Sequence, residues 1–339
     1  MKPTPPDQAN PTLGIAIPTY KRPEQLLPCV RSVIRAAEPH RVPVYLLDDA
    51  TDDTNTAAIA ELREAYPLVH HIRNEKNLGI DRNILKSADT CPCEYVWLLG
   101  EDDRMHPHGV ESVLAAIRER PNPFVFANYS AVDNDMRFLI KERSLPADFP
   151  GELDGETFFR SVAWSMGFIG ACVIRKAEWD RVDPAPYLDS YFAHVGKIME
   201  MIHGKRVTLI TDPLILNRCG SPEIFTWTGD AANVLGGWAR MTRALEPVYG
   251  PEAGKDSLAA FRRAHGIGTL KFYAYLRADG VFTPSLCKEM VTPENSSASA
   301  RCAAWLIART PPALFRAARA LLMWGRKLRS PDLDPLTTG

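Results

Sequence analysis

Over the first 130 residues, short apolar blocks alternate with stretches of helical spacing, and each apolar block ends in polar residues. Leu13-Gly14-Ile15-Ala16-Ile17 reads as a buried strand stopped at Pro18. From Pro23 onward, Leu26, Leu27, Val30, Val33, Ile34 and Ala37 recur at helical spacing, with Pro28 an awkward early residue. A second strand, Val42 to Leu47, runs into Asp48-Asp49, and Thr51-Asp52-Asp53 can cap a helix through Tyr66. Leu68 to Ile72 is a third strand, followed by a helix from about Asp81 to Ala88. Tyr95 to Leu99 is a fourth, ending in Gly100-Glu101-Asp102-Asp103; a helix from Gly109 to Arg118 and a fifth strand, Phe124 to Ala127, complete the alternation.

Such alternation predicts an α/β fold with a mainly parallel, Rossmann-like sheet flanked by helices, because parallel strands need crossovers and near-continuous apolar strands need both faces covered. Ligands of such sheets bind beyond the carboxyl ends of the strands. Pro18-Thr19-Tyr20, Asp48-Asp49 and Glu101-Asp102-Asp103 all fall there. The expected organisation is a flexible stretch at 1–11 and a domain at 12–228, divided into a first half (12–128) and a second half (129–228) that extends the same sheet. A helical region follows at 229–339, broken by a loop from Thr292 to Ser299.

Composition narrows the classes. A chain of 339 residues, 45% hydrophobic and 24% charged, excludes disorder, collagen and a disulfide scaffold. A formal net charge of −1 gives no general attraction to nucleic acid. The 7 cysteines, with Cys91 and Cys93 flanking Pro92, suit idle thiols in a reducing compartment. The first residues lack the apolar core of a signal peptide, and no uncharged apolar run reaches ~18 residues, so a cytoplasmic location is expected.

The chemistry starts from the acids. Three consecutive carboxylates repel one another, and a hard cation such as Mn²⁺ or Mg²⁺ relieves that cost while leaving coordination sites for a substrate's phosphates. A solvated acidic turn is the alternative, but the strand before it aims the cluster at the crevice. Asp48 or Asp49 can accept from a base or ribose, Thr19 and Tyr20 can flank the base, and Arg22 and Arg82 can neutralise phosphate. Neither GxxxxGK[ST] nor GxGxxG follows a strand, which leaves a metal-held diphosphate.

The stretches Ile15 to Pro23, Leu47 to Thr54, Asn74 to Asn83 and Trp97 to Asp103 resemble, in order and spacing, the inverting GT-A glycosyltransferases of family 2. The string Trp97-Leu98-Leu99-Gly100-Glu101-Asp102-Asp103 and the later Tyr191-Phe192-Ala193-His194-Val195-Gly196 resemble the abequosyltransferase-like branch, whose members add sugars to bacterial surface polysaccharides. The resemblance is strong over about 12–128, looser to about 228 and absent beyond. It implies that Pro18, Thr19 and Tyr20 line a base pocket, with Asp48 or Asp49 on base or ribose. Asn77, Gly79, Arg82 and Asn83 would close over ribose and diphosphate. Asp103 would ligate the metal, Asp102 would lie nearest the sugar or ribose, and Glu101, where the branch usually has aspartate, could reach metal-bound water. The implied reaction moves a sugar from a nucleoside diphosphate to an acceptor hydroxyl with inversion, using a general base. His194 and Asp189 are the candidates, ahead of His203 and Asp212. Arg218, on an expected mobile loop with Asn217, Cys219, Gly220 and Ser221, could contact the diphosphate.

From Arg301 to Arg329 every charge is positive. Leu314, Phe315, Ala318, Leu321 and Leu322 recur at helical spacing, with Met323 and Trp324 adjoining, so residues 312–329 suit a helix at an anionic membrane surface, the inner face of the cytoplasmic membrane. That would bring the enzyme to a lipid-linked acceptor; a packed terminal helix and a subunit interface are the alternatives. Two other functions compete: a non-catalytic nucleotide-sugar or glycan-binding protein on this fold, and a nucleotidyltransferase, whose glycine-rich amino-terminal loop is absent.

Overall fold

In the computed structural model, which describes residues 12–219, 231–292 and 297–327, the apolar blocks are strands and the periodic stretches helices. In chain order the first elements are β1 (Leu13–Thr19), α1 (Pro23–Ala37), β2 (Val44–Asp48), α2 (Thr56–Ala65), β3 (Val69–Arg73), α3 (Ile80–Thr90), β4 (Tyr95–Leu98), β5 (Arg104–Met105), α4 (Gly109–Glu119) and β6 (Phe124–Val132). Next come β7 (Leu139–Lys141), β8 (Glu152–Asp154), α5 (Gly155–Ser161), β9 (Cys172–Arg175), α6 (Lys176–Trp179), α7 (Ala193–Ile202) and β10 (Arg206–Arg218). The remainder is helical: α8 (Ala231–Ala244), α9 (Glu246–Ala264), α10 (Leu270–Ala278), α11 (Pro284–Met290), α12 (Ala298–Arg309) and α13 (Pro312–Lys327).

One mixed sheet runs β3-β2-β1-β4-β9-β6-β10-β5. The first four strands are parallel, and their register sets Thr19 beside Asp48 at the carboxyl ends of β1 and β2. β9 is antiparallel to both β4 and β6, while β10 returns parallel to β6. The second half therefore extends the same sheet. β10 is much longer than its apolar run Val207 to Ile210 indicates, because its register with β6 shifts between Ile210 and Ile215, around Asp212-Pro213; an irregularity there lets a strand contain a proline.

Each sheet face has a core. On one side α1, α2 and α4 bring Leu26, Val30, Val33, Ile59, Leu62 and Val113 onto Ile15, Ile17 and Leu46. On the other, α3, α5 and α7 to α9 pack Leu85, Phe158, Phe159, Ile198, Trp238 and Phe261 in one continuous cluster. α8 and α9 thus belong to the main core, although they follow residue 228. A separate small core of Tyr273, Leu276, Phe282, Cys287, Val291, Ala304 and Ala308 holds α10 to α12. All seven cysteines are free thiols.

The expected cap at Thr51-Asp52-Asp53 lies outside α2, which starts at Thr56 after Asn55. The two acids have other partners: Asp52 pairs with Lys21 at 2.5 Å, and Asp53 with Arg73 at 3.0 Å.

Candidate functional site

The polar ends of β1, β2 and β4 form one bonded cluster. Glu101 accepts from the Thr19 hydroxyl, from the Tyr20 N–H at 3.1 Å and from Arg22 at 3.1 Å; Arg22 also reaches Asp102 at 3.2 Å. Asn55 donates to Asp48 at 2.9 Å and to Thr19 at 3.4 Å, joining the first two strand ends. The sequence points to Glu101 as a metal ligand. In the structure both its oxygens hold the turn after β1, so its geometry is that of a clamp. Burial pushes its pKa up to about 7, against the Thr19 hydrogen bond and the Arg22 charge.

Of the three consecutive acids, Asp103 is the most buried. Its Oδ1 accepts the Arg218 N–H at 3.0 Å, and its backbone carbonyl accepts from Arg104 at 2.7 Å. Burial, and then the Asp102 charge, raise its pKa well above the usual carboxylate range, opposed by the Arg218 N–H and the charges of Arg104 and Arg218. A divalent cation would remove that strain, and an oxygen donor suits Mn²⁺ or Mg²⁺. Among the described residues no three His, Cys, Asp or Glu side chains are grouped to hold a metal. The donor set here fits an ion carried by one or two carboxylates, with water and phosphate completing its shell.

Asp48 and Asp49 have different duties. Burial acts to raise the Asp48 pKa, but His71, the Ala50 N–H and Asn55 outweigh it and the net shift is downward. His71 Nε2 lies 3.3 Å from Asp48. Asp49 organises the following loop, accepting from Asn74 at 2.8 Å, from Leu78 N–H at 2.8 Å and from Gly79 N–H at 3.1 Å. Asn77 accepts from the same Gly79 N–H at 2.9 Å. Gly79 has φ 78°, a left-handed conformation that glycine adopts without strain. Asn83 is buried between Asn74 and the Leu47 carbonyl. Pro18 is half-buried on β1, and the Tyr20 side chain is exposed.

A second group lies around the start of α3. Arg82 pairs with Asp189 at 2.9 Å, while buried Asp81 accepts the N–H groups of Ser190 and Tyr191, each at 3.1 Å. Asp189 and Tyr191 both have positive φ, 59° and 65°, so Asp81 and Arg82 clamp a strained turn. The Asp189 side chain is 76% exposed. His194, by contrast, is 2% exposed with Nε2 at 2.9 Å from the Met166 carbonyl, and burial lowers its pKa. Arg218 reaches the acids through its backbone; its guanidinium donates to the Asn134 carbonyl at 2.6 Å. Gly220 and Ser221 of the expected loop lie outside the described residues. His203 and Asp212 make no contact with either group in the hydrogen bonds described above.

Sequence reasoning missed Asn55, Asn74, Asp81 and Arg104. Asn55 and Asn74 look like turn residues, and their partners lie 7 to 36 positions away. Asp81 carries a weak local signal, an acid in the first turn of a helix.

Comparison with known proteins bears on the family and the fold. The profile of Glycosyl transferase family 2 matches residues 14–173, which run from β1 into β9. An abequosyltransferase of Salmonella typhimurium is 24% identical over 238 residues, 66% of this chain and 71% of that protein. Among solved structures, S. aureus TarS in complex with UDP-GlcNAc superposes with a TM-score of 0.54 at 13% identity, covering 91% of this chain and 92% of that one. A mannosyltransferase of Pyrobaculum calidifontis in complex with GDP-Man and Mn²⁺ gives 0.51 at 15% identity, covering 91% and 90%. At such identities the two structures establish the shared GT-A fold.

Proposed function

Because residues 14–173 match glycosyl transferase family 2, we propose that this chain transfers a sugar, with inversion, from a nucleoside-diphosphate donor to a hydroxyl of a bacterial surface glycan carried on a lipid. The observation that carries this reading is the buried Asp103 carboxylate at the end of β4, raised in pKa and next to the linked ends of β1 and β2. Asp103 would hold Mn²⁺ or Mg²⁺, with Asp102 near the sugar or ribose, and such an ion supplies positive charge to a departing diphosphate. Glu101 would position Thr19 and Tyr20 beside the base and Arg22 beside the phosphates. The loop fixed by Asp49 would carry Asn77, Gly79 and Arg82 over the donor, with Asn83 supporting it from below.

Asp189 is the better general base. An acceptor hydroxyl must come within hydrogen-bond reach of the base. The Asp189 carboxylate is accessible, whereas the His194 ring is covered and its Nε2 is held at the Met166 carbonyl.

The test compares wild type with Asp103→Ala and Asp189→Asn, following donor consumption and glycan product with Mn²⁺ present. Asp103→Ala is expected to lose about a hundredfold or more in turnover. Asp189→Asn should keep donor affinity while losing transfer. Donor binding without turnover in wild type would instead identify a nucleotide-sugar-binding protein, and pyrophosphate as the product would identify a nucleotidyltransferase.

A further inference from the structure

The helix α13 is packed with its apolar side facing outward. The side it turns to α10 carries half-buried Phe315, Arg316, which donates to the Ala278 carbonyl at 3.3 Å, and Arg319, which pairs with Asp279 at 2.6 Å. At 100° per residue, Leu314 and Leu321 fall on the opposite side, flanked by Ala318 and Trp324, while Leu322 comes near Phe315. Leu314, Leu321, Leu322 and Trp324 are 62%, 68%, 65% and 63% exposed. An ordinary terminal helix packed on a domain would bury this stripe and leave its arginines in water. Here the stripe is exposed, and two of the arginines bond to the end of α10.

The neighbouring helix has similar features. Trp305 and Leu306 of α12 are exposed, and the Arg309 guanidinium lies 3.8 Å over the Trp305 ring. Across α12 and α13 the sequence has no acid, and besides Arg316 and Arg319, which are turned to α10, it has Arg301, Arg309, Arg326 and Lys327. Charge then selects the occupant. A second copy meeting this face symmetrically would bring basic helices against basic helices. An anionic lipid surface is complementary to both features, since it accepts an apolar stripe at its acyl boundary and attracts arginine and lysine. Among the described residues no helix is long and apolar enough to cross a membrane, so a helix of this kind would lie in the surface.

We propose that the outward stripe of α13, assisted by Trp305 and Leu306, docks this chain on an anionic bilayer. The inference stands apart from the transferase reading, because it uses none of the residues at the strand ends. The full chain is mixed with vesicles of phosphatidylcholine alone or of equal parts phosphatidylcholine and phosphatidylglycerol, without donor, and sedimented. Wild type should bind the anionic vesicles about tenfold or more tightly than the neutral ones, and less so as salt rises. Leu321→Glu and Trp324→Glu should each weaken that binding about tenfold or more. Both positions are exposed, so thermal unfolding should not change, and turnover on a soluble acceptor serves as a separate reading of the active site. Three results would overturn the proposal: no wild-type binding, equal binding by both variants, or a concentration-dependent dimer that Leu321→Glu dissolves.

Discussion

Gly100 occupies a place where even one carbon more would reach the acids of the site. A Cβ there would lie 2.4 Å from Asp103 Oδ2 and 3.4 Å from Asp102 Oδ1. The obstructing atoms are ends of flexible side chains, so Gly100→Ala should cost little stability, within about 1–2 kcal/mol by urea unfolding. The Asp103 carboxylate must move to admit the methyl group. Turnover is therefore expected to fall about tenfold or more, equivalent to at least about 1.4 kcal/mol of transition-state stabilisation, with a higher Mn²⁺ requirement. Wild-type kinetics in this variant would show that the carboxylate's placement is immaterial. At this scale the sequence was informative where a residue's position on a strand end determines its neighbours, as for Thr19, Asp48 and Asp103. It was silent on Asn55, whose amide joins Thr19 to Asp48 only after the chain has folded. Glu101 shows a subtler limit: the sequence marks it as an acid at the crevice, but its clamp role depends on Thr19 at the end of β1 and on Tyr20 and Arg22 in the turn after it.

Elements made from local pattern were legible, and those made by distant pairing were not. The parallel strands β1 to β4 and helices α1, α3 and α4 follow from apolar runs and 3.6-residue spacing close to their observed limits. The insertion of β9 between β4 and β6 has no local signal, since it is decided by which strands cover one another's edges. The end of α9 offers a test of packing between elements. His265, just past its last turn, lies with its ring 4.6 Å from Phe261 and 6.0 Å from Trp164, and burial pushes its pKa down to about 4. In the unfolded chain it titrates near 6.5, so the native state binds fewer protons between those values and loses stability as pH falls from about 6.5 to 4. The contribution has an upper bound of about 3 kcal/mol, reduced by the part of the ring that water reaches. His265→Phe should flatten that segment of the stability curve, measured by urea unfolding at successive pH values. An identical slope in the variant would assign the acid sensitivity to other groups.

For the whole molecule, the two kinds of core define where the chain can be cut. Val234, Trp238, Met241, Tyr249, Ala253 and Phe261 on α8 and α9, with Leu245 between the two helices, are buried in the cluster that also holds α5 and α7. Trp238 stacks on Phe261 at 4.2 Å and meets Phe192 edge-on at 4.9 Å, while Tyr249 lies 4.6 Å from Phe159. Losing a large buried aromatic costs about 3–5 kcal/mol, so losing several exceeds the roughly 5–15 kcal/mol by which a domain is stable. A chain ending at residue 228, where the family resemblance fades, should therefore fail to unfold cooperatively or remain soluble. The residues of α10 to α12 instead share their own core, and two glycines with positive φ, Gly266 at 63° and Gly268 at 90°, precede them. A chain ending at Gly268 retains every residue of the main core. It should unfold cooperatively, with a midpoint within a few degrees of the full chain, and nucleotide sugar with Mn²⁺ should raise that midpoint to the same extent. Vesicle binding should be absent, because the exposed leucines and tryptophans of α12 and α13 are gone. Equal instability of the two shortened chains would mean that the four last helices support the main core, and that their outward apolar stripe coexists with a structural role.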